Sequence, residues 1–521
     1  MAVVDGSRID EELNKLKEEA DVVVQQRHAE EEKLYGGFRS PIINTLVSGV
    51  GFFTDAYNIF IVSILNGVWT EGYPDAFTST MKTRVSNSIL VGDIVGMLFF
   101  GLFADRIGRK AGLLSTATIL LIGPILETVS FGANGSQTGM FWMLVIVRGF
   151  LGVGIGGEYP CAATTSCEAG EDAKIKRGKN VLLVFAMQGV GTITAYVYGI
   201  MLIEWAKANP SNFEPVWRVA LASSIVPVIP IYILRWRMRN STRYEIAGLS
   251  RKNLPWLLVL RKYWVNLIGT AGTWFINDFL FYSNGLFSSE MTKSILEETD
   301  VRSSNLVFTE YTSMLILLIG LPGYFVSAFT ADYIGSRNIQ IIGAVMSGVI
   351  AIIMGGIFNL MRTNPGPFIM MYGLFFFFTQ FGANCTTFIL PTETYATAVR
   401  ATLHGVSAAF GKTGAAIGTQ VFNPLKKINP VNGPRAVFIF CGGLSLIGAI
   451  VTYICIPDNK NKSLETIDME FERYCLEHGV ELKYLQPTHY SKYFSASDSD
   501  EKARTNGNDS DEKNSIAVLS E

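Results

Sequence analysis

The sequence predicts an all-α polytopic membrane protein, with twelve transmembrane helices arranged as two pseudo-symmetric six-helix halves. Three observations carry this. Of the 521 residues, 49% are hydrophobic and only 17% charged, a balance suited to lipid as the solvent. Apolar runs of ~20 residues, long enough for ~30 Å of hydrocarbon at 1.5 Å per residue, recur from Pro41 to Pro457 with short polar breaks. One loop sequence also occurs twice, once in each half. The runs do not alternate apolar and polar residues, which argues against a spanning β-barrel.

In chain order, residues 1–40 are a charged tail, patterned over 8–35 as an amphipathic helix, with no signal-peptide core; the first span is expected to serve as the targeting signal. The N-terminal half, 41–236, holds spans near 41–65, 85–104, 112–132, 139–163, 180–203 and 217–236. A central loop, 237–262, separates it from the C-terminal half, 263–456, with spans near 263–288, 311–331, 338–359, 367–389, 400–423 and 435–456. Residues 457–521 form a second tail, rich in Ser, Asp, Glu and Asn from 485 onward and expected to be partly disordered. Basic residues mark the cytoplasmic loops: Arg106, Arg109 and Lys110; Lys174, Lys176, Arg177 and Lys179; and a run beginning at Arg235. Both termini are therefore expected in the cytoplasm. The 50 glycines, many inside spans, suit close helix approach in lipid.

The repeated loop reads GLFADRIGRK from Gly101 and AFTADYIGSR from Ala328. Asp105 and Asp332, like Gly108 and Gly335, stand 227 residues apart (332 − 105 and 335 − 108), the spacing expected if one half duplicates the other. The first loop resembles the signature of the major facilitator superfamily, and RGFLGVGIGGEYP from Arg148 resembles that family's fourth-span motif. Further segments, among them GFFTDAYNIF, KTRVSNSILVG, VFAMQG, TWFINDFLFYSNGLFSS, GANCTTFILPTE and AVRATLHGVSAAFGKTG, resemble the phosphate:proton symporters and within them the fungal permeases for glycerophosphoinositol and glycerophosphocholine.

A charge at mid-bilayer costs ~2.5–3.5 kcal/mol on insertion scales, so an intramembrane charge is a functional candidate by default. Asp55, Glu158, Asp278 and Lys412 are the strongest. A structural salt bridge or an interfacial position is the competing explanation for each. Trp274, Asp278 and Tyr282 are spaced by four and share one helix face. The resemblance maps Tyr159, Gln188, Trp274, Asp278, Tyr282 and Asn384 onto substrate coordination, with Lys412 as a nearby basic group, and Asp55 and Glu158 onto a proton route. The residue chemistry agrees: neutral donors and one point charge suit phosphate oxygens. A carboxylate in an anion site makes sense if it is protonated while substrate is bound, which makes Asp278 the coupling residue. The resemblance gives Asp105, Arg106, Arg109 and Asp332 gating or structural roles; Arg148 is expected to anchor the fourth span, and Glu393 to pair with Arg400. Glu158 departs from the phosphate symporters, which carry Asp there. Asp93, Glu127 and Arg84 match no known role.

The glycines at 152, 154 and 156 sit in an apolar run without GK[ST] or a ribose-binding acid, so nucleotide binding is set aside. The six cysteines show no paired spacing, and neither disulfides nor a metal site is expected. The function expected is proton-coupled uptake of a glycerophosphodiester at the plasma membrane by a monomer, with an anionic small molecule and protons as partners and no enzyme activity, cofactor or nucleic acid. Inorganic phosphate symport and nutrient sensing are the alternatives.

Overall fold

A computed structural model describes residues 41–172, 177–207, 213–237, 254–286, 306–362, 365–426, 432–460 and 462–480; the expected amphipathic helix over 8–35 and the end of the chain from 485 lie outside these. All regular structure among the described residues is helical. The first half comprises α1 (Pro41–Gly72), α2 (Ser79–Ile107), α3 (Arg109–Thr128), α4 (Gln137–Asp172), α5 (Arg177–Lys207) and a sixth span broken into α6 (Phe213–Ala222) and α7 (Ile225–Arg237). In the second half, α8 (Trp256–Leu286) is followed by an eighth span split into α9 (Leu306–Gly320) and α10 (Pro322–Ile334), then α11 (Ser336–Gly356) and the short α12 (Phe358–Arg362). The tenth span, α13 (Pro365–Thr379) and α14 (Cys385–Thr394), is joined by a π turn, and α15 (Arg400–Lys426) and α16 (Asn432–Cys455) complete the bundle.

Ten segments among the described residues are long and apolar enough to cross a membrane. The other two spans, α8 with 31 residues and α15 with 27, have the length. They lack only the apolarity, because they carry Asn277, Asp278, Asn284, His404 and Lys412, all buried inside the bundle. Their polarity thus identifies helices that face protein, since lipid offers such groups no partner.

Glycine sets the closest helix contacts. A Cβ on Gly156 would collide with the backbone of Asp93, and one on Gly92 with the carbonyl of Gly149, so α2 and α4 approach backbone to backbone. The glycine run in α4 is therefore a packing surface. Between the halves, Gly101 and Gly405 play the same part where α2 lies along α15, and α5 lies along α9 and α10.

Two expectations need correction. Arg235, counted among loop charges, is 1% exposed within α7. The segment after Pro457 is not all tail, because Ser463 caps a further helix, α17 (Leu464–Glu477), by accepting from Thr466 N at 3.1 Å. Its buried face, Leu464, Ile467, Phe471 and Cys475, packs with the end of α8, where Tyr263 and Phe471 stack at 5.9 Å. Asp468 accepts from the amide and hydroxyl of Thr397 at 2.6 and 2.7 Å, in the turn between α14 and α15.

Candidate functional site

Midway along the bundle, both halves contribute to one buried polar ring. From α1, Asp55 accepts a 2.5 Å hydrogen bond from the Tyr159 hydroxyl of α4. From α15, Lys412 donates to the Tyr282 hydroxyl of α8 at 2.5 Å and stands 3.6 Å from Asp55 and 3.5 Å from Asp93 of α2. Gln188 of α5 reaches toward both phenols, at 3.4 Å from Tyr159 and 3.5 Å from Tyr282. Its carbonyl accepts from Tyr324 and Asn384, both at 3.0 Å. Asn277 donates to Asp278 at 3.0 Å and to Asn384 at 3.3 Å, closing the ring on the C-terminal side. Trp274 packs between Tyr159 and His404, with centroids at 6.2 and 5.4 Å, in a slot left by Gly411.

The π turn explains how Asn384 gets there. Gly382 breaks the helical dihedrals (φ −91°, ψ −114°), and the extra residue in the turn rotates Gln380 and Asn384 inward. All seven expected substrate residues lie in the ring, each at most 3% exposed.

Aromatic layers shut the ring on both sides. Toward the duplicated loops, Phe52, Phe185 and Phe388 meet with centroids at 4.7–5.3 Å. Toward the opposite end, Phe60 contacts Tyr196 and Phe281 at 6.3 and 6.4 Å. At the loop end the halves are also latched reciprocally. Asp105 accepts from the amide and hydroxyl of Thr402 at 2.7 Å, in the first turn of α15. Asp332 accepts from the amides of Gly178 and Lys179 at 3.0 and 3.2 Å, in the first turn of α5. Each duplicated aspartate thus occupies the positive N-terminus of a helix from the other half. Arg109 bridges Asp105 and Glu168 at 2.7 and 2.9 Å. Arg106 is exposed and outside this latch.

Some expected partners differ. Arg400, expected beside Glu393, has its guanidinium 3.6 Å from Glu168, and its Nε donates to the Tyr395 carbonyl; α4 continues past the expected end of its span and brings Glu168 there. Glu158 is not in the ring. One residue from Tyr159, it points about 100° away around α4, where Arg235 holds it in a bidentate pair at 2.6 and 2.7 Å and Thr116 donates to it. Arg148 pairs with Glu127 at 3.1 Å and donates to the carbonyls of Val85 and Asn58, contacts that join four helices. Arg84 lies over the Trp142 ring at 4.7 Å.

Sequence reasoning missed Tyr324, Gln380, Asn277, Asp93 and Arg235. For Asp93 and Arg235 the signal was present, as charges in or beside an apolar run, and for Gln380 as a polar residue four before Asn384; Tyr324 gave none. Chemically, the ring offers one ammonium, phenol and amide donors, and three carboxylates, all sealed from water.

A two-half helical bundle enclosing a polar ring at its centre, with latches across one end, has the architecture of a membrane transporter. The chain belongs to the sugar (and other) transporter family of the major facilitator superfamily, whose description matches residues 32–253 and 263–471. It is 31% identical to glycerophosphoinositol permease 1 of Candida albicans, over 87% of this chain and 86% of that one. Probable inorganic phosphate transporter 1-6 of Arabidopsis thaliana is 29% identical over 82% of this chain and 93% of that one. The fold is that of the proton:xylose symporter XylE, with a TM-score of 0.69 at 17% identity, covering 83% of this chain and 99% of that one.

Proposed function

We propose that this protein is a plasma-membrane symporter that imports glycerophosphodiesters, such as glycerophosphoinositol or glycerophosphocholine, together with protons, and that both termini face the cytoplasm. The observation that carries this is Lys412. It is the cation of the ring and is fully buried, and phenol and amide donors surround it, which suits a phosphate group bearing one charge and several acceptor oxygens. The glycerophosphoinositol relatives support the diester; the phosphate transporters support inorganic phosphate as the second reading.

Carboxylates beside the anion supply the coupling. Ionised, Asp278 and Asp55 repel a phosphate; protonated, they donate to it. Proton entry from outside therefore favours loading, and proton loss to the cytoplasm favours release, while the halves rock about the ring. Asp278→Asn tests this: it should bind substrate yet fail to concentrate it against a gradient when the outside is acidified. Full pH-driven accumulation by this variant would refute the coupling role.

A further inference from the structure

The ring contains a carboxylate that neither the motif resemblance nor its helix pattern singled out. Asp93 is 0% exposed, and neither carboxylate oxygen takes a hydrogen bond from any described residue. Its ion-pair neighbour, Lys412, stands at 3.5 Å and is shared with Asp55 at 3.6 Å. The other charged or titratable groups facing it are Asp278 from α8, Arg148 and Tyr159 from α4, and Asp55 from α1. Arg148 is committed to Glu127 and two carbonyls, and Tyr159 to Asp55. Among the described residues, Lys412 is the cation within ion-pair distance of Asp93.

Glu158 presents the opposite picture. Both its oxygens are held by Arg235, and Thr116 donates to one of them. A carboxylate fixed in a bidentate guanidinium pair is a poor proton carrier, because protonation would leave a buried arginine uncompensated. Asp93 has no such obligation.

We propose that Asp93, with Asp55, forms a proton-binding carboxylate pair that brackets Lys412 and competes with the substrate anion for it, and that Glu158 is a structural tie. The proposal deepens the proton-coupled reading above. When both carboxylates are ionised, they hold the ammonium between them. When each takes a proton from the outer solution onto an oxygen, Lys412 turns its N–H bonds to the phosphate oxygens, and the buried ring carries no surplus negative charge. After the latch opens, the protons leave to the cytoplasm, the carboxylates reclaim Lys412, and the anion departs.

Proton-linked binding weakens by ~tenfold per pH unit for each proton taken up. The purified full-length chain is therefore titrated with radiolabelled glycerophosphoinositol and, as a second probe, inorganic phosphate, from about pH 5 to about pH 9, a range that brackets buried carboxylates. On the alkaline limb Asp93→Asn should take up about one proton fewer per anion than the unaltered chain and bind at least tenfold more tightly, and Asp93→Glu should restore the steeper dependence. A merely structural role predicts weaker binding at every pH with an unchanged slope; that result, or a loss of slope in Glu158→Gln instead, overturns the proposal. If neither anion binds the unaltered chain, the transport reading fails separately. Infrared spectroscopy then tests Asp93: a protonated-carboxyl carbonyl band that disappears in Asp93→Asn supports the proton site, and a band that persists overturns it.

Discussion

Cutting the Glu158–Arg235 pair from either side should have unequal consequences. Among the described residues, Arg235→Met leaves the buried Glu158 carboxylate with only the Thr116 hydroxyl as side-chain donor. Glu158→Met leaves the guanidinium with three hydrogen bonds, two to the Val47 carbonyl at 2.9 and 3.2 Å and one to that of Leu113 at 3.1 Å. Removing one partner of a buried ion pair costs ~3–5 kcal/mol, whereas replacing both by apolar residues of similar volume is close to neutral. Arg235→Met should therefore cost the full amount, Glu158→Met less, and the double variant the least of the three. The assay is heat unfolding in detergent followed by tryptophan fluorescence, read as a double-mutant cycle. With native stabilities of ~5–15 kcal/mol, the first loss is large enough to see. A double variant that loses the sum of the two single losses would refute the reasoning, since the residues would then act independently. If Glu158 is only a tie, the double variant also keeps proton-driven uptake.

The reciprocal latch makes a second prediction. A hydrogen bond to a charged group contributes ~1.5–3 kcal/mol, so Asp105→Asn with Asp332→Asn should raise thiol labelling of buried Cys167 at the loop end by roughly tenfold or more; an unchanged rate would show that the aspartates do not hold the end shut. A third concerns Glu472 on α17. Burial, and then the nearby Asp468, push its carboxyl up from 4.5 to about 8. A raised acid favours the docked, protonated form, so this contribution is complete below about pH 4.5 and is lost as pH rises through about 8. Hydrogen exchange over Leu464–Glu477 should accelerate across that window beyond its intrinsic pH dependence, and Glu472→Gln should flatten the effect. Lastly, Lys412→Gln should weaken anion binding at least tenfold at acidic pH while leaving Asp105 and Asp332 latched, measured by binding together with Cys167 labelling.

Much of this architecture was legible because lipid makes hydropathy a strict criterion: a backbone can cross only as helix or closed barrel, the runs here do not alternate as a barrel's would, and each charge within a span must have a reason. That logic picked out Asp55, Asp278 and Lys412, and the spacing of four joined Trp274 to Tyr282. The same logic misjudged Arg235, because a basic residue at a span's end has the signature of a cytoplasmic loop whether it points to water or back into the bundle. Asn277 went unnoticed because it lies one residue from Asp278, off the counted face. Gln380 and Asn384 stand four apart and share a face, but the turn of that face toward the site comes with the break at Gly382, and nothing in the local composition announces a π turn. Helix α17 was hidden in a charged tail, since its apolar face is four residues wide and its partner surface lies some 200 positions earlier at Tyr263.

The central claim is that Lys412 and its carboxylates carry a phosphodiester inward with protons. The most direct test is uptake of radiolabelled glycerophosphoinositol, glycerophosphocholine and inorganic phosphate at acidic pH, in cells lacking their own carriers but expressing this chain, with and without a protonophore. Saturable diester uptake that collapses with the protonophore is the predicted result. Uptake of phosphate alone would move the substrate to the second reading, and uptake indifferent to the protonophore, or none despite surface expression, would contradict the claim.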